Sequence, residues 1–116
     1  LAIQLPIGGM VSFAHRVSGV LWAASLPGLI YLLERSLSSP EGYAQVAAWL
    51  DSAWSWPLGF VLLLAWLHHG LAGIRFLALD LDLGIALDTA RRTAYLVLFG
   101  GLALTLGLSA WFWPWR

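Results

Sequence analysis

Two adjacent histidines and an arginine inside an apolar stretch are the residues of this sequence best suited to chemistry. His68, His69 and Arg75 follow an apolar run that begins near Pro57, and the whole segment is long enough to cross a bilayer. Ionisable groups cost roughly 2.5–3.5 kcal/mol each at the centre of a membrane helix, so they persist where they face protein, a cofactor or water. The stretch is therefore the first candidate for a functional site.

Helical spacing gives the two histidines different neighbours. On a helix, His69 shares one side with Ala72, Gly73 and Phe76, because residues three, four and seven apart lie on the same side. The small residues would leave a flat gap beside the imidazole, where a plate-like ligand such as haem could lie. Spacing alone allows either His68 or His69 to bind haem, and it gives His69 the emptier surroundings. The alternative is that the histidines make polar contacts between packed helices.

A second group of polar residues lies near the start of the chain. Ser12, His15 and Arg16 are three and four residues apart, so on a helix all three can address one volume, and the small Gly19 lies one turn beyond His15. A hydroxyl, an imidazole and a guanidinium at a membrane boundary suit a ligand with a carbonyl or an anionic group. The alternative is that Arg16 reaches to lipid headgroups and Ser12 only starts the helix.

The composition is that of a membrane protein. Of the 116 residues, 60% are hydrophobic and 10% are charged, whereas soluble proteins have about 25% charged residues. The formal net charge of zero argues against nucleic acid as a partner, and the absence of cysteine excludes disulfides, thiol catalysis and iron–sulfur ligation by this chain. So apolar a chain has no room for a dinucleotide-binding fold. Because its first residues include no methionine, we expect it to begin inside a longer chain.

Three apolar segments predict three membrane-spanning helices. They are Val17–Leu33, Pro57–Leu79 and Thr93–Trp113. The first helix should begin earlier, after Pro6–Gly9, and its apolar part stops at Glu34 and Arg35. Pro27 falls inside it and should kink it.

A short amphipathic helix is predicted between the first two spans. Ser38–Glu41 has the hydroxyl, proline and acid typical of a helix start. Further along the chain, Asp80–Gly84 should end the second span, and Asp88 should cap the third helix. We expect the short helix to lie in the membrane interface. Its apolar side would contain Tyr43, Val46, Ala47, Leu50 and Trp54.

The placement of arginines indicates how the spans cross the membrane. The positive-inside rule puts the arginine-rich side in the cytoplasm or an equivalent compartment. On that side the start of the first span meets the end of the second, so polar groups from two helices converge. That side has Arg16, Arg75, Arg91 and Arg92, and the other side has Arg35 and Arg116.

In these stretches the sequence resembles the cytochrome b subunit of succinate dehydrogenase, the membrane anchor of respiratory complex II. Ser12–Gly19 is similar to the family's Ser-x-x-His-Arg-x-[Ser/Thr]-Gly signature, and Leu37–Tyr43 is similar to the loop that follows in some bacterial members. His69–Arg75, with Asp80, resembles the family's second-helix signature, in which a histidine often follows the arginine. This chain has Phe76 there. Together with three spans at matching spacing, the resemblance covers nearly the whole sequence.

The resemblance implies an integral-membrane anchor that binds haem b together with a second small anchor subunit. His69 would be an axial ligand of the haem, and the partner subunit would supply the opposite ligand. His15 and Arg16 would lie near the haem propionates, whereas Ser12 and Arg16 would line the quinone site. Three further residues are expected at the haem edge or as polar contacts nearby: His68, which could supply the polar group that Phe76 does not offer, Arg75 and Asp80.

These patterns together predict an all-α integral membrane protein. We expect one transmembrane domain over residues 1–116, with three spanning helices and one short interfacial helix in a heteromeric bundle. The implied function is reduction of a membrane quinone, either ubiquinone or menaquinone, by electrons from succinate oxidation. The implied partners are the second anchor subunit, an iron–sulfur subunit, a flavoprotein subunit and membrane lipids. The location would be the bacterial inner membrane or, alternatively, the mitochondrial inner membrane.

Two other functions compete with this one. The chain could be an anchor or assembly protein without a cofactor, in which case its histidines and arginines would serve helix packing and headgroup contacts. It could also be a subunit of a small transporter or channel. Transporters commonly contain internal repeats with interrupted helices near the midplane, and the sequence shows no such repeat.

Overall fold

The computed structural model describes residues 6–112, which form four α-helices. These are α1 (Ile7–Ser38), α2 (Pro40–Leu50), α3 (Ser55–Asp80) and α4 (Leu87–Phe112). Helices α1, α3 and α4 are long and apolar enough to cross a membrane, and at most 17% of the most apolar window of each is buried inside the chain. The predicted all-helical fold with three spanning helices and one short helix is therefore confirmed. Most of its apolar surface is left for lipid or partner chains.

Helix α1 is longer than the apolar run that predicted it. It begins directly after Pro6, so Ile7, Gly8 and Gly9, which were expected to precede it, lie inside the helix, and it runs through Pro27 without a break. The apolar part was predicted to stop at Glu34 and Arg35, and the helix itself continues beyond these residues to Ser38. Charged residues mark the edge of the apolar layer, but they are compatible with helical backbone. The helix ends only at Ser39, which is extended with φ −166° and ψ 162°.

Helix α2 starts as its sequence predicts. The Ser39 hydroxyl accepts a hydrogen bond from the Gly42 N–H at 3.0 Å, and proline occupies the first turn. Gly42 is buried because the carbonyl of Arg35 lies where a Cβ would be. The Arg35 guanidinium donates to Oε1 of Gln45 at 2.8 and 3.2 Å, which further fixes α2 to the end of α1. The predicted apolar side was too long, since α2 ends at Leu50 and Trp54 lies beyond it.

The boundaries of α3 and α4 differ slightly from the predicted ones. Helix α3 begins two residues before Pro57, which therefore falls in the first turn, where a missing N–H costs little. Asp82 and Gly84 have φ of 58° and 75° and form the turn to α4. Asp88 was expected to cap α4 but lies inside its first turn, where a carboxylate still complements the helix dipole. The predicted end of the third span at Trp113, together with Arg116, lies outside the described residues.

Small side chains bring the three long helices together. Val11, Ala72, Ala94 and Val97 form the buried centre, with one contribution from α1, one from α3 and two from α4. Such residues allow close approach of helix backbones in a membrane. Trp22 contacts Trp66, whereas the earlier His15 contacts the later Phe76, so α1 and α3 run antiparallel.

The start of α1, the end of α3 and the start of α4 meet at one end of the bundle. A cavity of about 480 Å³ there is lined by residues of all three elements, including Ile7, Arg75 and Arg91. The start of α1 and the end of α3 therefore lie close together, as the sequence predicted, and His15 packs on Phe76 near this end.

Candidate functional site

His15 and His69 form the central feature of the candidate site. Their rings stack with centroids 4.2 Å apart and planes inclined by 6°. His69 lies near the middle of α3, and both side chains are partly exposed. The sequence predicted a flat gap beside His69 at Gly73. In this structure His15 fills that gap, since its Nε2 is 3.6 Å from the position that a Cβ on Gly73 would take. The prediction of an open gap was wrong because it considered α3 alone.

The hydrogen bonds of His69 fix its tautomer. Nδ1 lies 3.1 Å from the backbone carbonyl oxygen of His15. A carbonyl can only accept, so Nδ1 carries the proton and donates it. In the neutral ring the lone pair is then on Nε2. Ser18 Oγ lies 3.5 Å from the same Nδ1 and donates to the same carbonyl at 2.9 Å.

Gly19 provides the surface of α1 against which His69 lies. A Cβ at this position would be 2.9 Å from Cε1 of His69 and 3.2 Å from its Nδ1. The ring can therefore approach the α1 backbone only because residue 19 has no side chain.

His68 has different surroundings from His69. It is 7% exposed, and its Cα packs near Gly101 of α4. Its Nε2 is buried and has no hydrogen-bond partner among residues 6–112. The ring lines an apolar groove of about 430 Å³, together with residues such as Val17, Leu98 and Leu102. The resemblance implied that His68 could supply a polar group in place of Phe76. The structure places His68 on the groove between α1 and α4.

Ser12, Arg16 and Asp80 are available to groups outside this chain. Ser12 is partly exposed, and Arg16 and Asp80 are exposed. Within the described part of the chain, no hydrogen bond or ion pair engages these three side chains. Ser12 and Arg16 lie one turn apart on α1, and Arg16 directly follows the stacked His15. The structure thus places a hydroxyl and a guanidinium beside the histidine pair, towards the arginine-rich end of the bundle.

Arg75 is held inside the bundle instead. Its guanidinium donates to the Thr93 hydroxyl at 3.2 Å and to the carbonyl of Ala90 at 3.1 Å. It also lies over the ring of Phe76, 5.3 Å from the centroid. The resemblance implied that Arg75 lies at the edge of a haem, and the structure shows that it joins α3 to α4. Phe76 packs at the same time on His15, with ring centroids 5.3 Å apart.

The sequence analysis did not single out two tryptophans, Trp22 and Trp66, that lie on the same side of α1 and α3 as the histidine pair. Trp22 and Trp66 contact each other with ring centroids 6.0 Å apart. Trp22 follows His15 by seven residues and Trp66 precedes His69 by three, so helical spacing could have placed both beside the histidines. Ser18 was noted only as part of a motif, and its contact with His69 depends on how two helices pack.

Comparison with known proteins identifies the family. The family model of the succinate dehydrogenase/fumarate reductase transmembrane subunit matches residues 1–108. The succinate dehydrogenase cytochrome b556 subunit of Coxiella burnetii (strain RSA 493 / Nine Mile phase I) is 30% identical over 111 residues, which cover 95% of this chain and 89% of that protein. The subunit of the same name from Paracoccus denitrificans is 27% identical over 107 residues, covering 89% and 79%. Since the family match includes the histidine pair and most of all three long helices, the chain belongs to the succinate dehydrogenase/fumarate reductase transmembrane subunit family.

Proposed function

We propose that this chain binds haem b jointly with a second anchor subunit and forms one wall of a quinone-reduction site. The observation that carries the proposal is the state of His69. Its Nδ1 is held by a backbone carbonyl, and its ring lies partly exposed near the middle of a membrane-spanning helix. A histidine serving only the packing of this chain would have no need for such exposure in hydrocarbon.

The residues present fit a haem. Metal-binding histidines almost always donate their other ring N–H to a carbonyl, carboxylate or water, and Nδ1 of His69 does so. That leaves the Nε2 lone pair of His69 to bind the iron, and the second anchor subunit would supply a further ligand. Arg16, exposed one turn from Ser12, would supply a positive charge for the propionates. When bound, haem b would supply one-electron transfer.

Ser12 and Arg16 are the groups of this chain that would act on the quinone. As a quinone carbonyl gains electron density, donors already aimed at its oxygen stabilise the developing negative charge. The Ser12 hydroxyl can donate a hydrogen bond, and the Arg16 guanidinium adds a charge that is not lost at physiological pH. Both side chains are free of hydrogen-bond or ion-pair partners among residues 6–112, which keeps them available for a ligand.

The exposed surfaces support a role as one subunit of a larger complex. The apolar faces of α1, α3 and α4 are largely uncovered, and the histidine pair opens on the α1–α3 side. We propose that a second three-helix anchor covers this side. Iron–sulfur and flavoprotein subunits, which would oxidise succinate, dock at the arginine-rich end. By the positive-inside rule this end faces the cytoplasm of a bacterial inner membrane, or the mitochondrial matrix.

One observation favours a second candidate, an anchor without a cofactor. The rings of His15 and His69 stack on each other and leave no open gap at Gly73. Purification of the complex from detergent-solubilised membranes separates the two functions. We expect flavoprotein and iron–sulfur subunits to accompany this chain and a sharp b-type spectrum to appear on reduction. Copurification of those subunits with a colourless anchor would reject the haem and favour the second candidate.

A further inference from the structure

Glycine at position 19 is what allows helix α1 to hold the ring of His69. The distances from a Cβ at Gly19 would be 2.9 Å to Cε1, 3.2 Å to Nδ1 and 3.8 Å to Nε2 of His69. A Cβ contact shorter than 3.0 Å does not persist, so any side chain at position 19 would displace the imidazole. The displaced group is a ring with only two side-chain torsions, and it also stacks on His15 with ring centroids 4.2 Å apart. A displacement of the ring would therefore also change that stack.

The hydrogen bond that fixes the tautomer lies at the same place. The His15 carbonyl that accepts from Nδ1 is one turn before Gly19 on α1, and the 3.1 Å bond requires the ring to lie close to the helix backbone. Hydrogen bonds weaken steeply as their distance and angle depart from the optimum. Displacing the ring away from residue 19 would therefore stretch or bend the bond from Nδ1 to His15.

Resting on the haem site proposed above, we propose that Gly19 is a positioning residue for the haem ligand. By leaving room for the imidazole against α1, it keeps Nδ1 of His69 on the carbonyl of His15 and so directs the Nε2 lone pair to the iron. Ser18 completes this contact region, with Oγ near Nδ1 and a hydrogen bond to the same carbonyl. Gly19 itself touches neither iron nor quinone in this arrangement and acts only through His69.

The test compares Gly19→Ala with Gly28→Ala in the purified complex. Both glycines lie in α1, and a Cβ at Gly28 would meet nothing within 4 Å, so the two variants share the intrinsic effect of alanine on a helix. The readouts are haem content, the rate of haem transfer to an apoprotein acceptor, and the low-spin g values and midpoint potential of the haem. Succinate oxidation with a soluble acceptor reports assembly of the other subunits.

We expect Gly19→Ala to weaken haem binding by roughly 10- to 100-fold, the usual cost of removing the hydrogen-bond partner of a metal ligand, and to shift the g values. Gly28→Ala should match the wild type. Haem binding and g values of Gly19→Ala equal to those of Gly28→Ala would overturn the proposal. If the wild-type complex contains no haem, the proposed function fails instead, so the two failures are distinguishable.

A second variant decides the matter if Gly19→Ala does not assemble. Ser18→Ala removes the hydroxyl near Nδ1 without adding an atom and should leave the helix intact. We expect a shifted haem midpoint potential, because the carbonyl that binds Nδ1 loses a competing donor. An unchanged potential and unchanged g values in Ser18→Ala would contradict the positioning role of this turn.

Discussion

His68 and His69 are adjacent in sequence and belong to two different regions of the bundle. His69 is partly exposed between α1 and α3, with Nδ1 bound to a carbonyl and the ring stacked on His15. His68 is almost completely buried towards α4, and its Nε2 has no hydrogen-bond partner within the described chain. Successive residues on a helix point about 100° apart, and this rotation is enough to give them different neighbours.

On the proposed assignment of His69 as the haem ligand, burial alone does not identify a ligand. His68 is the more buried histidine and would be the first choice if burial indicated a ligand. It is, however, covered by residues of this chain. A group shared by two subunits needs a residue that its own chain orients but does not cover. His69 meets both conditions, because α1 fixes one nitrogen and leaves the ring partly exposed. The same contrast holds for Arg16, which is exposed, and Arg75, which α4 holds.

The largest expected effect is the loss of haem in His69→Ala. Removing the ligand should abolish or severely perturb the b-type spectrum, whereas His68→Ala should retain the haem with a modest spectral change. Reduced-minus-oxidised spectra, normalised to succinate oxidation with a soluble acceptor, measure haem per assembled complex. Equal loss in both variants, or loss in His68→Ala alone, would mean that the buried histidine is the ligand.

A second large effect is expected at Arg16. Hydrogen bonds to charged groups contribute about 1.5–3 kcal/mol, so Arg16→Ala should lower quinone turnover by roughly 10- to 150-fold. Arg16→Lys should recover only part, since an ammonium keeps the charge without the planar donor geometry. Arg35→Lys is the matched control, because Arg35 lies at the other end of α1 and contacts Gln45. Full activity in Arg16→Lys would indicate that this side chain binds only lipid headgroups.

Ser12→Ala should have a smaller effect on the same reaction. A neutral hydrogen bond contributes about 0.5–1.5 kcal/mol, which corresponds to a loss of roughly threefold to tenfold in quinone turnover. Haem content and succinate oxidation with a soluble acceptor should stay close to the wild type. If Ser12→Ala retains wild-type quinone turnover, the hydroxyl is not a donor to the quinone.

The sequence predicted local features of this fold better than contacts between helices. The start of α2 was predictable because a serine cap and a proline act within one turn. The end of α1 was not, because hydropathy records where the apolar layer stops and not where the helix does. The sequence singled out His15 and His69 in two separate motifs, and the structure shows that their rings stack. His15 stacks on His69, and Arg75 binds α4. These contacts depend on how two helices are rotated and shifted relative to each other, and helical spacing within one segment does not predict that.

The smallest effect, and the sharpest test of the comparison, is expected for His68→Leu. This change removes an unpartnered buried nitrogen, which costs about 1–3 kcal/mol. The thermal midpoint of the purified complex should therefore rise by no more than a few degrees, and haem content should not change. A large fall in the midpoint would mean that Nε2 has a partner in the assembled complex. In that case the groove beside Leu98 and Leu102 holds a hydrogen-bonding group from outside this chain. His68 would then, like His69, bind a group that this chain does not supply.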